Sequence, residues 1–389
     1  MPLFRKVALV FKTRLEENQR ILAAISKFNR FHENWSAFVD DQAVSQQDPT
    51  WLLNQHWDGV ITRHSTAELI QGCVEKNIPV VDLTDGPRFN QSVPKLRPDN
   101  WAIGHQGAEY FIEKGYQHFA FCGFSSETWA QDRENGFKEA LELAGRTFQS
   151  FDSSYPQVNE PDWEQKEELK ICEWLDSLPQ PLAMMCCNDL RALQALHACR
   201  QLDLRVPEEV AILGVNNETV RCELSNPQLS SIPVNTDYYG QVAAQYLTDL
   251  MNGVSVSKME QLIDPLEVVT RRSTDMFSID DKHVAEALHI IKNNACEGIT
   301  VDAIVGQVPV SRSILERRFR KHIGRSPQEE IRSVQIQKIK QLLKETNYTL
   351  AHIAEIAGFD HPEYMSVVFK KQLKMTPIQY RKKVAVSYE

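Results

Sequence analysis

The 389-residue chain has no run of about 18 or more apolar residues, so nothing in it predicts a membrane-spanning helix. Its start has only one short apolar run, Val7 to Phe11, before Lys12, too short for the core of a secretory leader. The expected location is the cytoplasm. Useful cysteine patterns are missing as well. Of eight cysteines the only close pair, Cys186-Cys187, is adjacent and fits neither an ordinary disulfide nor a C-x-x-C site. They are expected as reduced thiols, mostly buried. Also absent are a G-x-x-x-x-G-K-[ST] phosphate loop, a Gly-x-Gly in the first β-α turn (Val10-Phe11-Lys12-Thr13), a nucleophile motif and a spaced set of metal ligands. These gaps predict a protein with no cofactor and no metal, and they argue against an enzyme.

With 42% hydrophobic and 24% charged residues the composition is that of a globular protein, and the length suggests about two or three domains. Charge is unevenly spread. Residues 1–278 hold 25 Lys+Arg against 39 Asp+Glu, giving −14, whereas residues 279–389 hold 18 against 13, giving +5. An acidic body with a basic tail fits a nucleic-acid-binding module attached to something else.

The tail contains a repeat. Phe319-Arg320-Lys321 followed by Ser326-Pro327 recurs 50 positions later as Phe369-Lys370-Lys371 followed by Thr376-Pro377. Each copy closes a segment that reads helix, short turn, basic helix, the pattern of a helix-turn-helix unit. After Asp280-Asp281, Val284, Ala287, Leu288 and Ile291 mark one face of a helix that stops near Gly298. Thr300 caps a short helix predicted over 301–308, and Ser311 caps a longer one to about His322. A connecting helix follows from Pro327 to Lys344. The second unit is predicted as a helix over 349–357, a turn at Gly358, a helix over 363–373, and a last helix from Thr376-Pro377. The units therefore span about 300–322 and 349–373, a spacing that suits successive major grooves about 34 Å apart.

Ala354, Ala357-Gly358-Phe359, Tyr364, Ser366, Phe369-Lys370-Lys371, Thr376-Pro377 and Tyr380-Arg381 resemble the signature of AraC/XylS-type transcriptional regulators. The resemblance implies base-reading roles for Ser313, Glu316 and Arg317 in the first unit and for Glu363, Ser366 and Val367 in the second. Arginine at 317 suits a bidentate contact to guanine. Lys321, Lys370 and Lys371 read as phosphate contacts, which position without specifying. The sequence departs from the pattern at Pro309 and Lys374, where the family often has glycine.

Residues 1–275 alternate short apolar strands with helices, the pattern of parallel sheets covered on both faces. Such sheets bind ligands at the carboxyl ends of their strands. There lie Glu127, Trp129, Asp132 and Arg133, then Asn188 and Asp189, then Asn216 and Asn217. Amides, carboxylates, an arginine and an indole suit a sugar, with its hydroxyls and one apolar face. Each has a plainer reading too: Asp189 as a helix cap, Arg133 as a partner of Asp132 or Glu134, Trp129 as core.

Asp99-Asn100, the approach Gly115-Tyr116-Gln117-His118, Arg133, Asn188-Asp189, Arg205-Val206-Pro207, Gly214-Val215-Asn216-Asn217 and Pro227 to Ile232 resemble the LacI/GalR-type, periplasmic-binding-protein-like effector domain. The resemblance implies a two-lobed fold over 1–275, with Arg133, Asn188 or Asp189, and Asn216 as effector ligands. Asn216 stands where that family usually has aspartate, so its side chain can donate as well as accept. An effector domain ahead of two helix-turn-helix units is an uncommon order that resembles regulators of xylose operons. That likeness implies a sugar-responsive regulator, an activator, with D-xylose as its monosaccharide effector, an operator in double-stranded DNA and RNA polymerase as a further candidate partner. A homodimer is expected because operator half-sites usually mirror two-fold protein symmetry. Alternatives are a regulator of the same build for another sugar and a sugar transport receptor, which would not need the basic tail. The domains are expected at 1–275 and 279–389, joined by a short polar connector that couples them.

Overall fold

A computed structural model describes residues 4–32, 35–86, 88–155, 162–256, 258–275, 281–346 and 348–386. Asp280, read above as part of a helix start, lies outside them, as does the rest of 276–280. Described residues within 1–110 and 117–275 form one compact unit, and those within 276–389, with 111–116, form a second.

The first unit begins β1 (Lys6–Val10), α1 (Glu16–His32), β2 (Ser36–Asp40), α2 (Thr50–Leu53), β3 (Gly59–Thr62), α3 (Ala67–Glu75), β4 (Val80–Asp82), β5 (Lys95–Pro98). It continues α4 (Asn100–Glu113), β6 (His118–Phe124), α5 (Thr128–Leu143), β7 (Gln149–Ser153), α6 (Trp163–Asp176), β8 (Leu182–Cys186) and α7 (Asp189–Gln201). It closes with β9 (Val210–Val215), α8 (Thr219–Leu224), β10 (Ser230–Ile232), α9 (Thr236–Met251) and β11 (Glu260–Ile263). The strands make two sheets, six strands ordered β11-β5-β4-β3-β1-β2 and five ordered β10-β9-β8-β6-β7, with parallel pairing throughout the ladders.

The two-residue period of a strand is visible in how β1 feeds two cores. Val7 and Leu9 join Ile21, Ile25, Tyr239 and Leu247 beneath α1 and α9, whereas Ala8 and Val10 join Val60, Leu69 and Ile70 on the opposite face. Every residue of β8 and β9 is buried, as a central strand covered on both faces requires. The edge strands β2 and β7 are largely exposed.

The chain passes between the sheets three times: after β5, between β10 and α9, and after β11. The second and third passages pair with each other through an antiparallel bridge between Val234 and Pro265. Glycine lets α4 and α5 approach closely in the second lobe. A Cβ on Gly104 would sit 1.8 Å from the Arg133 carbonyl oxygen, and one on Gly136 2.0 Å from that of Trp101.

The second unit consists of α10 (Lys282–Asn294), α11 (Val301–Val305), α12 (Arg312–Ile323), α13 (Pro327–Glu345), α14 (Leu350–Ile356), α15 (Pro362–Leu373) and α16 (Pro377–Val386). It has two small cores. Leu315 and Phe319 of α12 pack with Leu288, Ile291 and Ile331, and Met365 and Phe369 of α15 pack with Ile336, Ile339 and Ile353. Helix α13 supplies both cores, and its start carries a reciprocal Ser326–Glu329 capping box. Buried Gln335 donates to the carbonyls of Ala295 (2.9 Å) and Gly358 (3.2 Å) and so ties the halves together.

Several local expectations change. The first short helix ends at Val305, because Gly306 follows it as the C-cap, and does not reach Val308. Ser311 occupies the cap position of α12, but its hydroxyl accepts no bond from the helix backbone. Helix α5 starts at Thr128, which places Trp129 and Arg133 on one helix. The strands β5, β7, β10 and β11 and the helices α2, α8 and α9 were not anticipated.

Candidate effector cleft and DNA-reading helices

Asn100 stands at the first passage between the lobes and bonds to both. Its Nδ2 lies 3.0 Å from each carboxylate oxygen of Asp85, beyond β4, and its Oδ1 accepts from Arg133 Nε (2.9 Å). Arg133, on α5, is buried, and its Nη1 donates to the Cys187 carbonyl (2.5 Å) at the end of β8. Among the described residues Nη2 has no partner. The indole of Trp129 lies beside this guanidinium, ring centre to carbon 5.0 Å, with its own Nε1 donating to Glu127 (2.9 Å). Burial draws the Arg133 pKa below its ordinary value, and Asp85, Cys187, Glu17 and Asp189 oppose that shift.

The first lobe adds a second, partly buried guanidinium. Arg63, just past β3, donates to Glu17 (2.7 Å), Asn18 (3.0 Å) and the Leu83 carbonyl (2.8 Å). Burial opposes its charge, but Glu17, Tyr239 and Asp85 outweigh it and hold the group charged. His64 beside it is pushed down to about 3 by burial, with Lys12 and Arg63 adding to the effect, so the ring is neutral near pH 7. Burial raises Asp85, against the pull of Arg63, Asn100 and Arg133.

The other predicted ligands divide. Asn188 is the N-cap of α7, its Oδ1 accepting from Arg191 N (2.9 Å). Asp189 is fully buried, with Oδ1 accepting from Ser231 Oγ (2.6 Å) and Oδ2 from Glu218 N (2.7 Å). Burial pushes its carboxyl up to about 7, against the lowering effect of those two bonds. One oxygen is thus spent on the 216–218 loop at Glu218 and the other on Ser231 of β10, which in turn holds Asn217 N, so the carboxylate braces the loop from both sides. Gly214 is what admits the brace, since a Cβ there would sit 2.2 Å from Asp189 Oδ1. Asn216 has a left-handed backbone, φ 97°, and its Oδ1 is buried without a partner among the described residues. A buried amide oxygen left in that state is costly.

Glu17, Arg63, Asp85 and Asn100 were not among the predicted ligands. The rule that put Arg133 and Asn216 forward, polar residues past the carboxyl ends of strands, applies equally to Arg63 and Asp85. No metal-binding group of His, Cys, Asp or Glu occurs among the described residues.

In the second unit α12 and α15 repeat their environment at the same 50-residue spacing as their sequence. Leu315 and Met365 are buried, as are Phe319 and Phe369, while Ser313, Arg317 and Lys321 match Glu363, Val367 and Lys371 on the exposed face. Lys370 is exposed too. Arg317 has no partner among the described residues. Glu316 is half-buried and held by Arg312 Nε (3.2 Å), and Nη1 of the same arginine pairs with Asp302 (2.7 Å). The Ser366 hydroxyl donates back to the Pro362 carbonyl (2.9 Å), which satisfies its proton within the helix. Tyr364, exposed on α15, was not predicted as a base reader; Arg332 lies 5.2 Å from its ring. The first turn contains no left-handed residue among the described ones, as Pro309 requires, whereas Gly358 in the second adopts φ 73°.

Residues 108–274 match the periplasmic binding protein-like domain family, and residues 304–383 match the helix-turn-helix domain family. The xylose operon regulatory protein of Haemophilus influenzae is 31% identical over 97% of this chain and 98% of its own length. That of Escherichia coli K12 is 28% identical over 97% and 96%. A solved structure of a xylose-binding transcription activator, xylR, superposes with TM-score 0.60 at 27% identity, covering 98% of each chain.

A two-lobed α/β domain followed by tandem helix-turn-helix units defines a sugar-responsive, DNA-binding transcriptional regulator, a class without catalytic activity. Within that class the chain belongs to the family of xylose operon regulatory proteins.

Proposed function

We propose that D-xylose is the effector of this chain, held between the lobes by Arg133, Asn216 and Trp129, with Asn100 and Asp85 completing the polar set and Asn188 and Asp189 supporting it. The observation that carries this reading is the buried, unpartnered Asn216 Oδ1, which a sugar hydroxyl would satisfy, together with the unoccupied Nη2 of Arg133. The names of the relatives point to the same pentose. Sugar bound between the lobes favours closure only to the extent that it binds the closed state more tightly.

On the DNA side, Ser313, Glu316, Arg317, Glu363, Ser366 and Val367 read base edges while Lys321, Lys370 and Lys371 hold phosphates. The chain acts as a homodimer in the cytoplasm, its two copies on paired half-sites, and as an activator that engages RNA polymerase. Two-fold operators normally mirror two-fold proteins. The domain limits 1–275 and 279–389 belong to the same proposal.

A thermal-shift screen of D-xylose, L-arabinose, D-ribose, D-glucose and D-galactose tests the effector. A ligand at about 100 times its Kd adds about 2.7 kcal/mol to stability. A shift with D-xylose alone supports the reading, and a larger shift with another sugar replaces the effector.

A further inference from the structure

We propose that Asn217 and Arg271 form the link through which the effector cleft is coupled to DNA binding, an inference that rests on the effector reading above. Asn217 follows Asn216 at the end of β9, and both are left-handed, with φ 49° and 97°. That pair of conformations suits asparagine better than most residues, and it defines a loop with few alternative shapes. Three groups from three places meet on Asn217. Its carbonyl accepts from Arg20 Nη2 (2.9 Å), on α1 of the first lobe. Its N–H donates to Ser231 Oγ (2.9 Å), the same hydroxyl that donates to Asp189. Its Oδ1 accepts from Arg271 Nη2 (2.9 Å).

Arg271 lies on the last segment of the first unit, four residues before that unit ends at Asp275 and the chain runs on to the DNA-reading helices. Hydroxyl bonds fasten this segment to the second lobe. Arg271 N donates to Ser230 Oγ (2.7 Å), Ser273 Oγ donates to the Ile212 carbonyl (2.6 Å), and Ser230 N donates to Ser273 Oγ (2.8 Å). The segment is therefore anchored without the Arg271 side chain. What the guanidinium adds, with Nη1 on the Leu229 carbonyl (2.9 Å) and Nη2 on Asn217, is dependence of the exit segment on the state of the 216–217 loop. That loop is the one whose preceding side chain waits for a hydroxyl in the cleft. Arg20 makes it sensitive to the first lobe as well, through a further bond to Thr219 Oγ1 (2.7 Å). A sugar that engages Asn216, or a change in lobe angle that moves Arg20, thereby shifts the purchase that Arg271 has on the way out.

Arg271 and Asn217 are positioning residues in this scheme, and their readout is the coupling factor, the ratio of operator Kd without and with D-xylose for the full chain. Couplings between sites normally fall at about 5- to 150-fold. Arg271→Met and Asn217→Gly should each bring the factor below about 2, on that same scale, while Arg271→Met still shows a D-xylose thermal shift. Glycine at 217 tolerates the left-handed backbone while removing the side chain that holds Arg271, so it guards against strain at that position. Asn217→Asp keeps an acceptor for Arg271 and should retain the factor. A normal factor in Arg271→Met and Asn217→Gly overturns the link. Loss in Arg271→Met alone also overturns it, because the arginine then acts through Leu229 or through stability. An unsubstituted chain whose operator Kd ignores D-xylose overturns the effector reading itself, and the link falls with it.

Discussion

Arg133 and Asn100 are joined side chain to side chain across the first passage between the lobes, Nε to Oδ1 at 2.9 Å, while Asn100 also holds Asp85 of the opposite lobe. One neutral amide thus separates a buried cation from a partly buried carboxylate and orients both. A direct ion pair at this place would satisfy the two charges with each other. The intervening amide leaves capacity on both for a third party, which is the condition for binding a polyhydroxylated ligand.

Arg133→Met should abolish much of the sugar response. A charge-assisted hydrogen bond contributes about 1.5–3 kcal/mol, so affinity should fall by about 10- to 100-fold. Calorimetric titration of the purified variant with D-xylose checks this, and an unchanged Kd would remove Arg133 from the site.

Asp189 predicts a pH dependence. Its folded pKa, about 7, lies above the 3.8 of an unperturbed carboxyl, so the native state holds the proton more tightly than the unfolded chain. Its contribution to stability is therefore complete below about pH 4 and is lost as pH rises toward 7, with a slope of up to about 1.4 kcal/mol per pH unit. Urea unfolding between pH 5 and 7.5 should show this fall in the unsubstituted chain, flattened in Asp189→Asn. Parallel stability profiles would mean that Asp189 does not titrate in this window.

The residues that were legible in sequence share a property: their signal is local. The 50-residue repeat, the helix period of Val284, Ala287, Leu288 and Ile291, and the apolar run of β8 need no partner to be read. Short strands such as β10, Ser230–Ile232, carry no period, and β5 includes a buried lysine, Lys95, that pairs with Asp82 at 3.2 Å. Helix α9 was readable in principle, with Tyr239, Ala243, Tyr246 and Leu247 at helical spacing behind an Asn235 cap. Asp85 sits in a Thr-Asp-Gly-Pro stretch that reads as a turn. Only the passage of the chain between sheets brings it to Asn100. The bonds of Asp189 to Ser231 and Glu218 were equally hidden, because a sequence does not show where a carboxylate's oxygens point.

Arg317→Ala and Lys371→Ala should separate reading from holding. The first should cost about 1–3 kcal/mol on the preferred operator and relax preference at one base pair. The second should weaken all sequences alike and reduce the salt slope by about 0.9. Footprinting and titrations at several salt concentrations check both, and identical behaviour of the two variants would contradict the division.

Lys374 caps α15 in a left-handed conformation, φ 59°, at the position where Gly324 caps α12 with φ 78°. A side chain in that region costs about 1–2 kcal/mol, against about 0.5–1 kcal/mol for the extra freedom of glycine in the unfolded chain. Lys374→Gly should therefore stabilise the domain by about 0.5–1 kcal/mol. Thermal unfolding measures it, and a destabilised variant would show that the lysine side chain contributes more than its backbone costs.

The most direct measurement is operator affinity of the unsubstituted full chain with and without saturating D-xylose, by fluorescence anisotropy at fixed salt. A change of at least about fivefold with D-xylose, and none with D-glucose, is the predicted result for two coupled sites. An operator Kd that D-xylose leaves unmoved would contradict the account at its centre.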